Sequence, residues 1–375
     1  MTQPGFVSAP IGGGVQACTA EFVALFQAAG YELRFHDIQQ QHDLLTRARL
    51  RWKLEAYGGY DFAGHARAIS TMAPPDGIVA LNQMDIAPLA RHVHRHDPRR
   101  PVVALSHGNA SGDFLHESLA AGTGPLGRLR DRWRLGAQLA HESDLLRHDV
   151  DLLVCISETE EAIARWLGAR HVLAVPRVFT PDPLPWQPVN GRIGVVTTAD
   201  HYPNRAGVEL LAAALAERQS AAPSLRLRLV GGGAPAAREL ASRFPFIEYL
   251  GPLDDAALRA EAATWSLFVH PLFWHARGAS MKLATAIGWG LPIATTPAGR
   301  RGYVWGEGTL IEGVEPDELA GRVLAALADR AALDRAREET LRIARSGPSL
   351  EDYAVRFRDG IEAARRRRAH LPPNS

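Results

Sequence analysis

Short apolar runs alternate with longer amphipathic segments along most of the chain, the pattern of parallel strands joined by crossover helices. In the first half, the runs Gly5–Ser8, Tyr31–His36, Gly77–Leu81, Pro101–Ser106, Leu152–Ile156 and His171–Val175 predict strands, with helical stretches between them. The segment Pro176–Gly191 then breaks the rhythm. Pro176, Pro181, Pro183, Pro185 and Pro188 exclude regular helix there and stiffen a linker. Beyond it the alternation restarts, with Arg192–Thr197, Leu225–Val230, Ile247–Leu250, Leu267–His270, Pro292–Thr295 and Thr309–Ile311 reading as strands. The expectation is an α/β chain of two Rossmann-like, doubly wound domains, residues 1–185 and 190–348, with a helix and tail over 349–375.

Length agrees, since 375 residues exceed what one hydrophobic core usually serves. The 46% of hydrophobic residues supply core material and the 22% of charged residues a solvated surface. Lys plus Arg number 42 against 41 for Asp plus Glu, so no whole-molecule field draws the chain onto nucleic acid, and any anionic partner must be met locally. Cys18 and Cys155 lie far apart and outside any close Cys/His cluster, which predicts neither a disulfide framework nor a zinc site. The N-terminus has no basic segment followed by a long apolar run, and no apolar stretch reaches the ~18 residues of a spanning helix, so a cytoplasmic protein is expected. The tail from Ser349 to His370 reads as a helix that is acidic at its start and basic over Arg365–Arg368, which complements the helix dipole. Contact of those arginines with nucleic acid or acidic lipid is the less economical reading.

Three stretches carry chemistry. Pro10-Ile11-Gly12-Gly13-Gly14 follows the first predicted strand and precedes a helix from about Ala17. Three glycines there let backbone approach a ligand and leave helix amides for an anion, although a tight turn would look the same. Gly231-Gly232-Gly233-Ala234-Pro235-Ala236 fits G-x-G-x-x-A after a strand, which would suggest a nicotinamide-dependent oxidoreductase. The fit is loose, because no acidic ribose ligand follows at the usual distance; Glu248 is the nearest candidate. In the stretch from His270 to Thr296, Gly278 to Met281 open a helix and put Lys282 in its first turn. A cation is disfavoured at that pole unless an anion offsets it, and a bound diphosphate would do so.

With these blocks in view, the chain resembles the retaining glycosyltransferases of family 4, nearest to a subgroup associated with surface polysaccharide assembly. The resemblance rests on Pro203-Asn204-Arg205 after a strand end, the Leu229–Gly233 turn, Tyr249-Leu250-Gly251 and the Gly278–Pro292 block. It implies the GT-B fold, two Rossmann-like domains facing across a cleft, with the last helix crossing back to the first. It implies transfer of a sugar from a nucleotide-diphosphate donor to a glycan, lipid-linked or small-molecule acceptor, without a metal or other cofactor. By position, Gly12, Gly13 and Gly14 would lie beside the donor phosphates, and His107 would face the reaction centre. Arg205 and Lys282 would neutralise the diphosphate, with backbone at Gly278, Ala279 and Ser280 assisting from the helix end.

The family's Glu-x7-Glu is replaced by Arg277 and Thr285. Thr285, a carbonyl of the Trp274–Ala276 loop or Glu307 would have to receive the ribose hydroxyls. Loss of both carboxylates keeps open a non-catalytic partner or scaffold with the same fold. Finally, Leu126–Leu135 interleaves Arg128, Arg130, Arg132 and Arg134 with leucines and Trp133. The plainer expectation packs the leucines and Trp133 inward; the other lays Arg128–Arg134 on an acidic membrane face near a lipid-linked acceptor.

Overall fold

The computed structural model describes residues 14–41, 43–52, 59–120, 124–218, 220, 222–274, 278–303, 305 and 310–370. The chain divides into two compact units: Met1–Arg177 with Arg277–Ala279 and Pro348–Ser375, and Val178–Ala276 with Ser280–Gly347.

In the first unit, β1 (Val79–Asn82), β2 (Val102–Leu105), β3 (Leu152–Cys155) and β4 (Val172–Ala174) pair in that order, all parallel. Strands β2 and β3 are buried at every position, as expected of parallel strands covered on both faces. The helices are α1 (Gly14–Ala28), α2 (Leu44–Trp52), α3 (Phe62–Met72), α4 (Leu89–His96), α5 (Ala110–Ala120), α6 (Pro125–His148) and α7 (Glu158–Trp166). Gly5–Ser8 lies outside the described residues. Among the described residues Tyr31–His36 pairs with no strand, and it carries Glu32, Arg34 and Phe35 to solvent.

The second unit holds β5 (Arg192–Val196), β6 (Arg226–Val230), β7 (Ile247–Gly251), β8 (Leu267–His270), β9 (Ile293–Thr295) and β10 (Ile311–Glu312). Its helices are α8 (Tyr202–Ala216), α9 (Ala234–Arg243), α10 (Asp255–Ala262), α11 (Met281–Gly288), α12 (Pro316–Ala328) and α13 (Arg330–Ser346). The sheet order β10-β9-β8-β5-β6-β7 is the doubly wound order, in which succession reverses between β5 and β8. Gly194 in β5 is required by packing, since a Cβ there would stand 2.0 Å from the fully buried Trp265 ring.

The last helix, α14 (Leu350–Ala369), belongs to the first unit. A capping box of Ser349 and Asp352 starts it, and Phe357 meets Phe26 of α1 edge to face at 4.7 Å. Three of its four terminal arginines are taken up inside the unit: Arg365 donates to the Asp76 carbonyl, Arg367 to the Asp151 carbonyl, and Arg368 pairs with the Asp151 carboxylate, while Arg366 is exposed.

The α6 segment corrects the sequence expectation. Asp131, Glu142, Leu145 and Leu146 form its buried face, whereas Leu126, Leu129 and Trp133 are 84%, 66% and 54% exposed. The helix is apolar on two sides, and hydrophobicity alone does not choose which side packs.

Candidate active site

Open α/β sheets bind ligands beyond the carboxyl ends of their strands, where the strand order reverses. In the second unit that point lies between β5 and β8. Thr197 follows β5 and His270 ends β8; Thr197 Oγ1 and His270 Nε2 are buried and have no hydrogen-bond partner among the described residues. Buried polar atoms normally find partners, so these two make the point a candidate place for a ligand's polar groups. Burial pushes the His270 pKa down to about 3, helped by the charges of Lys282 and Arg301, so its ring is neutral at any working pH.

The loops around this point are closely fitted. A Cβ at Gly207 of α8 would lie 1.8 Å from the Pro271 carbonyl, so only glycine lets α8 press against the loop after β8. Tyr202, at the start of α8, stacks on Trp274 at 5.8 Å, and the Trp274 indole N–H is buried without a partner among the described residues. Thr295 Oγ1 donates to the His270 carbonyl at 2.7 Å, and Thr296 to that of Leu272. Gly231, at φ 130°, takes the β6 turn so close to β5 that a Cβ would stand 1.9 Å from the Thr197 carbonyl. Backbone packing therefore accounts for the glycines that suggested a dinucleotide fingerprint.

Ser280 caps α11, its hydroxyl accepting from the Leu283 N–H, while its carbonyl accepts from the Tyr303 hydroxyl at 2.6 Å. Lys282 is the second residue of that helix. It is half-buried, and among the described residues its ammonium has no hydrogen-bond or ion-pair partner. Burial lowers its pKa to about 8. Arg205, half-buried in the first turns of α8, is likewise without a side-chain partner among the described residues. Thr285 is exposed, and its hydroxyl donates to the Met281 carbonyl at 3.0 Å, which leaves oxygen lone pairs to accept.

In the first unit, His107 stands just beyond β2. Its Nε2 lies 2.8 Å from Asn82 Oδ1, Asn82 Nδ2 donates to Thr19 Oγ1 at 3.0 Å, and Thr19 donates to the Val15 carbonyl at 2.9 Å. The direction of this chain puts the imidazole proton on Nε2 and makes Nδ1 the accepting nitrogen. The Phe22 edge packs against the ring at 5.6 Å. Gly14 opens α1, and no described residue stands within 4 Å of where its side chain would be; Gly12, Gly13, Arg277 and Glu307 lie outside the described residues.

Gly278 and Ala279 group with the first unit and are gripped there. The Gly278 N–H donates to Glu160 Oε1 at 2.6 Å, and the buried Arg177 donates to the Ala279 carbonyl at 3.0 Å while pairing with Glu21. The expectation that the Gly278 amide faces a phosphate is thus corrected: a carboxylate of the chain already holds it. Cys18 and Cys155 are buried free thiols with pKa values pushed up to about 12 by burial, so they serve as packing rather than as nucleophiles.

Sequence reasoning missed Asn82, Thr19, Thr197, His270, Glu160 and Arg177 as site residues. Strand-end position could have flagged Asn82, Thr197 and His270. Among the described residues no group of three His, Cys, Asp or Glu side chains could hold a metal ion, and no helix is long and apolar enough to cross a membrane.

Residues 192–329 match the family model described as Glycosyl transferases group 1. No curated protein matches the chain in sequence. The chain is similar in structure to an Anabaena protein, HepE, in complex with UDP and glucose (14% identity, 94% of this chain and 96% of that one, TM-score 0.64). It is also similar to the UDP-forming α,α-trehalose-phosphate synthase of Burkholderia xenovorans in complex with glucose-6-phosphate (12%, 96% and 98%, 0.62). A third is described as trehalose-6-phosphate from E. coli bound with UDP-2-fluoro glucose (11%, 98% and 98%, 0.60). The chain therefore has the GT-B fold, and residues 192–329, which make up most of its second unit, match a glycosyl transferases group 1 domain.

Proposed function

We propose that the protein is a glycosyltransferase that takes a sugar from a nucleotide-diphosphate donor and passes it, with retention, to a glycan, lipid-linked or small-molecule acceptor. One observation carries this reading: Lys282 and Arg205 stand without anionic partners among the described residues of a unit whose strand-order reversal is flanked by the buried Thr197 and His270, unpartnered among the same residues. When the bond to the anomeric carbon breaks, negative charge gathers on the departing diphosphate. Cations fixed beforehand stabilise that charge without reorganising. His107, oriented by Asn82, is assigned to the sugar and acceptor side, with Nδ1 as the accepting atom. The chemistry needs no cofactor beyond the donor.

A second reading has its own support. The carboxylate places are taken by Arg277 and Thr285, and Glu160 already holds the Gly278 amide, as a non-catalytic protein of this fold could allow.

Thermal unfolding with a panel of nucleoside diphosphates and nucleotide sugars separates the two. A ligand at about 100 times its dissociation constant stabilises by roughly 2.7 kcal/mol. At least one compound is expected to raise Tm, and Thr285→Glu is expected to strengthen that effect by about tenfold in affinity, because a charge-assisted bond to ribose would replace a neutral one. No shift across the panel, in either protein, would leave the scaffold reading standing.

A further inference from the structure

Helix α6 is built inside out. At about 100° per residue, Asp131, Arg134, Gln138, Glu142 and Leu145 share an arc of about 80°, and Leu126, Leu129, Trp133, Ala137 and Ala140 share the opposite one. A surface helix normally turns its apolar arc inward. Here the apolar arc is exposed, and four of the five inner positions are polar. The inner arc faces α5. Ser111, the second residue of α5, donates its N–H to Glu142 Oε1 at 3.1 Å and its hydroxyl to Oε2, and Arg134 lies over the Phe114 ring at 4.5 Å. Gln138 is one turn from both Glu142 and Arg134, so it stands between those two contacts. Asp131 meets the Arg134 charge at 3.9 Å. Three polar atoms are left over: Asn109 Nδ2, Arg134 Nε and Gln138 Oε1 are buried and have no hydrogen-bond partner among the described residues. The three side chains are each half-buried, so the seam between the helices reaches solvent. Asn109 comes directly before α5 and two residues after His107, which puts the mouth of the seam at the carboxyl edge of the first unit's sheet.

We propose that the seam between α5 and α6 binds an uncharged sugar ring of the acceptor, with Asn109, Arg134 and Gln138 hydrogen-bonded to its hydroxyls. Burying polar atoms is costly unless they are partnered, and a ligand that supplies the partners accounts for a helix that turns its leucines outward. The leftover atoms are two donors and one acceptor. A hydroxyl gives and takes hydrogen bonds, so neighbouring hydroxyls serve all three, whichever way the two amides are turned. Charge excludes a phosphate or carboxylate there, because Asp131 already balances Arg134 and Glu142 adds a second carboxylate to the same arc. Calling the sugar the acceptor rests on the proposed transfer and on His107 standing beside the seam; the seam's affinity for a sugar rests on neither.

The test is saturation-transfer NMR of the full chain with the methyl glycosides of glucose, galactose and mannose, and with glucose 6-phosphate. At least one neutral glycoside is expected to bind, and more tightly than glucose 6-phosphate. Gln138→Leu and Arg134→Met should each weaken that binding about fivefold or more, the scale of losing one hydrogen bond to a buried polar group. Gln138→Leu should also leave Tm unchanged or raise it, since it removes a buried acceptor that has no partner among the described residues; a residue with only a structural role would lower it. Should Arg134→Met fail to fold for want of its contacts with Phe114 and Asp131, Gln138→Leu decides alone. The response of Tm to nucleoside diphosphates should be the same in both variants and the parent. Sugar binding of this kind without any nucleotide response would keep the seam and sink the transfer, whereas a nucleotide response without glycoside binding would do the reverse. Equal glycoside binding by parent and variants, or binding of glucose 6-phosphate alone, overturns the proposal.

Discussion

Lys282→Met is expected to lower transfer by about 10²- to 10³-fold, the scale of removing one preorganised group from a developing charge. The same variant is expected to unfold at a higher temperature at pH 7. Both effects come from the ammonium being buried without an anion among the described residues. Its folded pKa is about 8, below the ordinary 10.5. Below pH 8 both folded and unfolded chains carry the proton, and the folded state bears the cost of the buried charge. Between about 8 and 10.5 the unfolded chain binds more protons, so this residue's contribution to stability rises with pH. The thermal gain of the methionine variant should therefore be present at pH 7 and shrink by pH 10. A bound diphosphate reverses the balance by favouring the charged amine, so donor affinity should fall as pH rises through about 8. Equal turnover in variant and parent, or a variant less stable at pH 7, would remove Lys282 from this role.

His107→Ala is expected to reduce kcat by about 10²-fold or more while leaving donor KM within a few-fold. The diphosphate is assigned to groups of the second unit, and His107 belongs to the first. Asn82→Leu should produce a smaller loss of kcat, because the ring remains while the acceptor that fixes its Nε2 proton is gone. Steady-state kinetics over a range of donor concentrations measures both. A rise in donor KM with unchanged kcat would make His107 a binding residue instead.

The second unit's strands were legible because parallel strands buried on both faces are unbroken apolar runs. Leu267–His270 matches β8 residue for residue, and Arg192–Thr197 runs one residue past β5. Tyr31–His36 has comparable apolar content, yet its charged residues reach solvent and it forms no ladder among the described residues. Periodicity also misled at α6, where it detects an apolar face but cannot choose between two. Local sequence indicated that Lys282 stands at a helix start and His107 at a strand end. It could not indicate what holds them. Asn82 lies 25 residues before His107, and Glu160 lies 118 before the Gly278 it grips, so these partners meet only once the sheet and its loops have formed. The unpartnered Thr197 and His270 are equally silent in sequence, since an unmet hydrogen bond is a property of the folded surroundings.

The most direct measurement is release of nucleoside diphosphate from a panel of nucleotide sugars, with and without candidate acceptors, by the parent protein and by Lys282→Met. The account predicts release from at least one donor, faster with an acceptor and about 10²-fold slower in the variant. No release from any donor, or release at the same rate in both proteins, would contradict it.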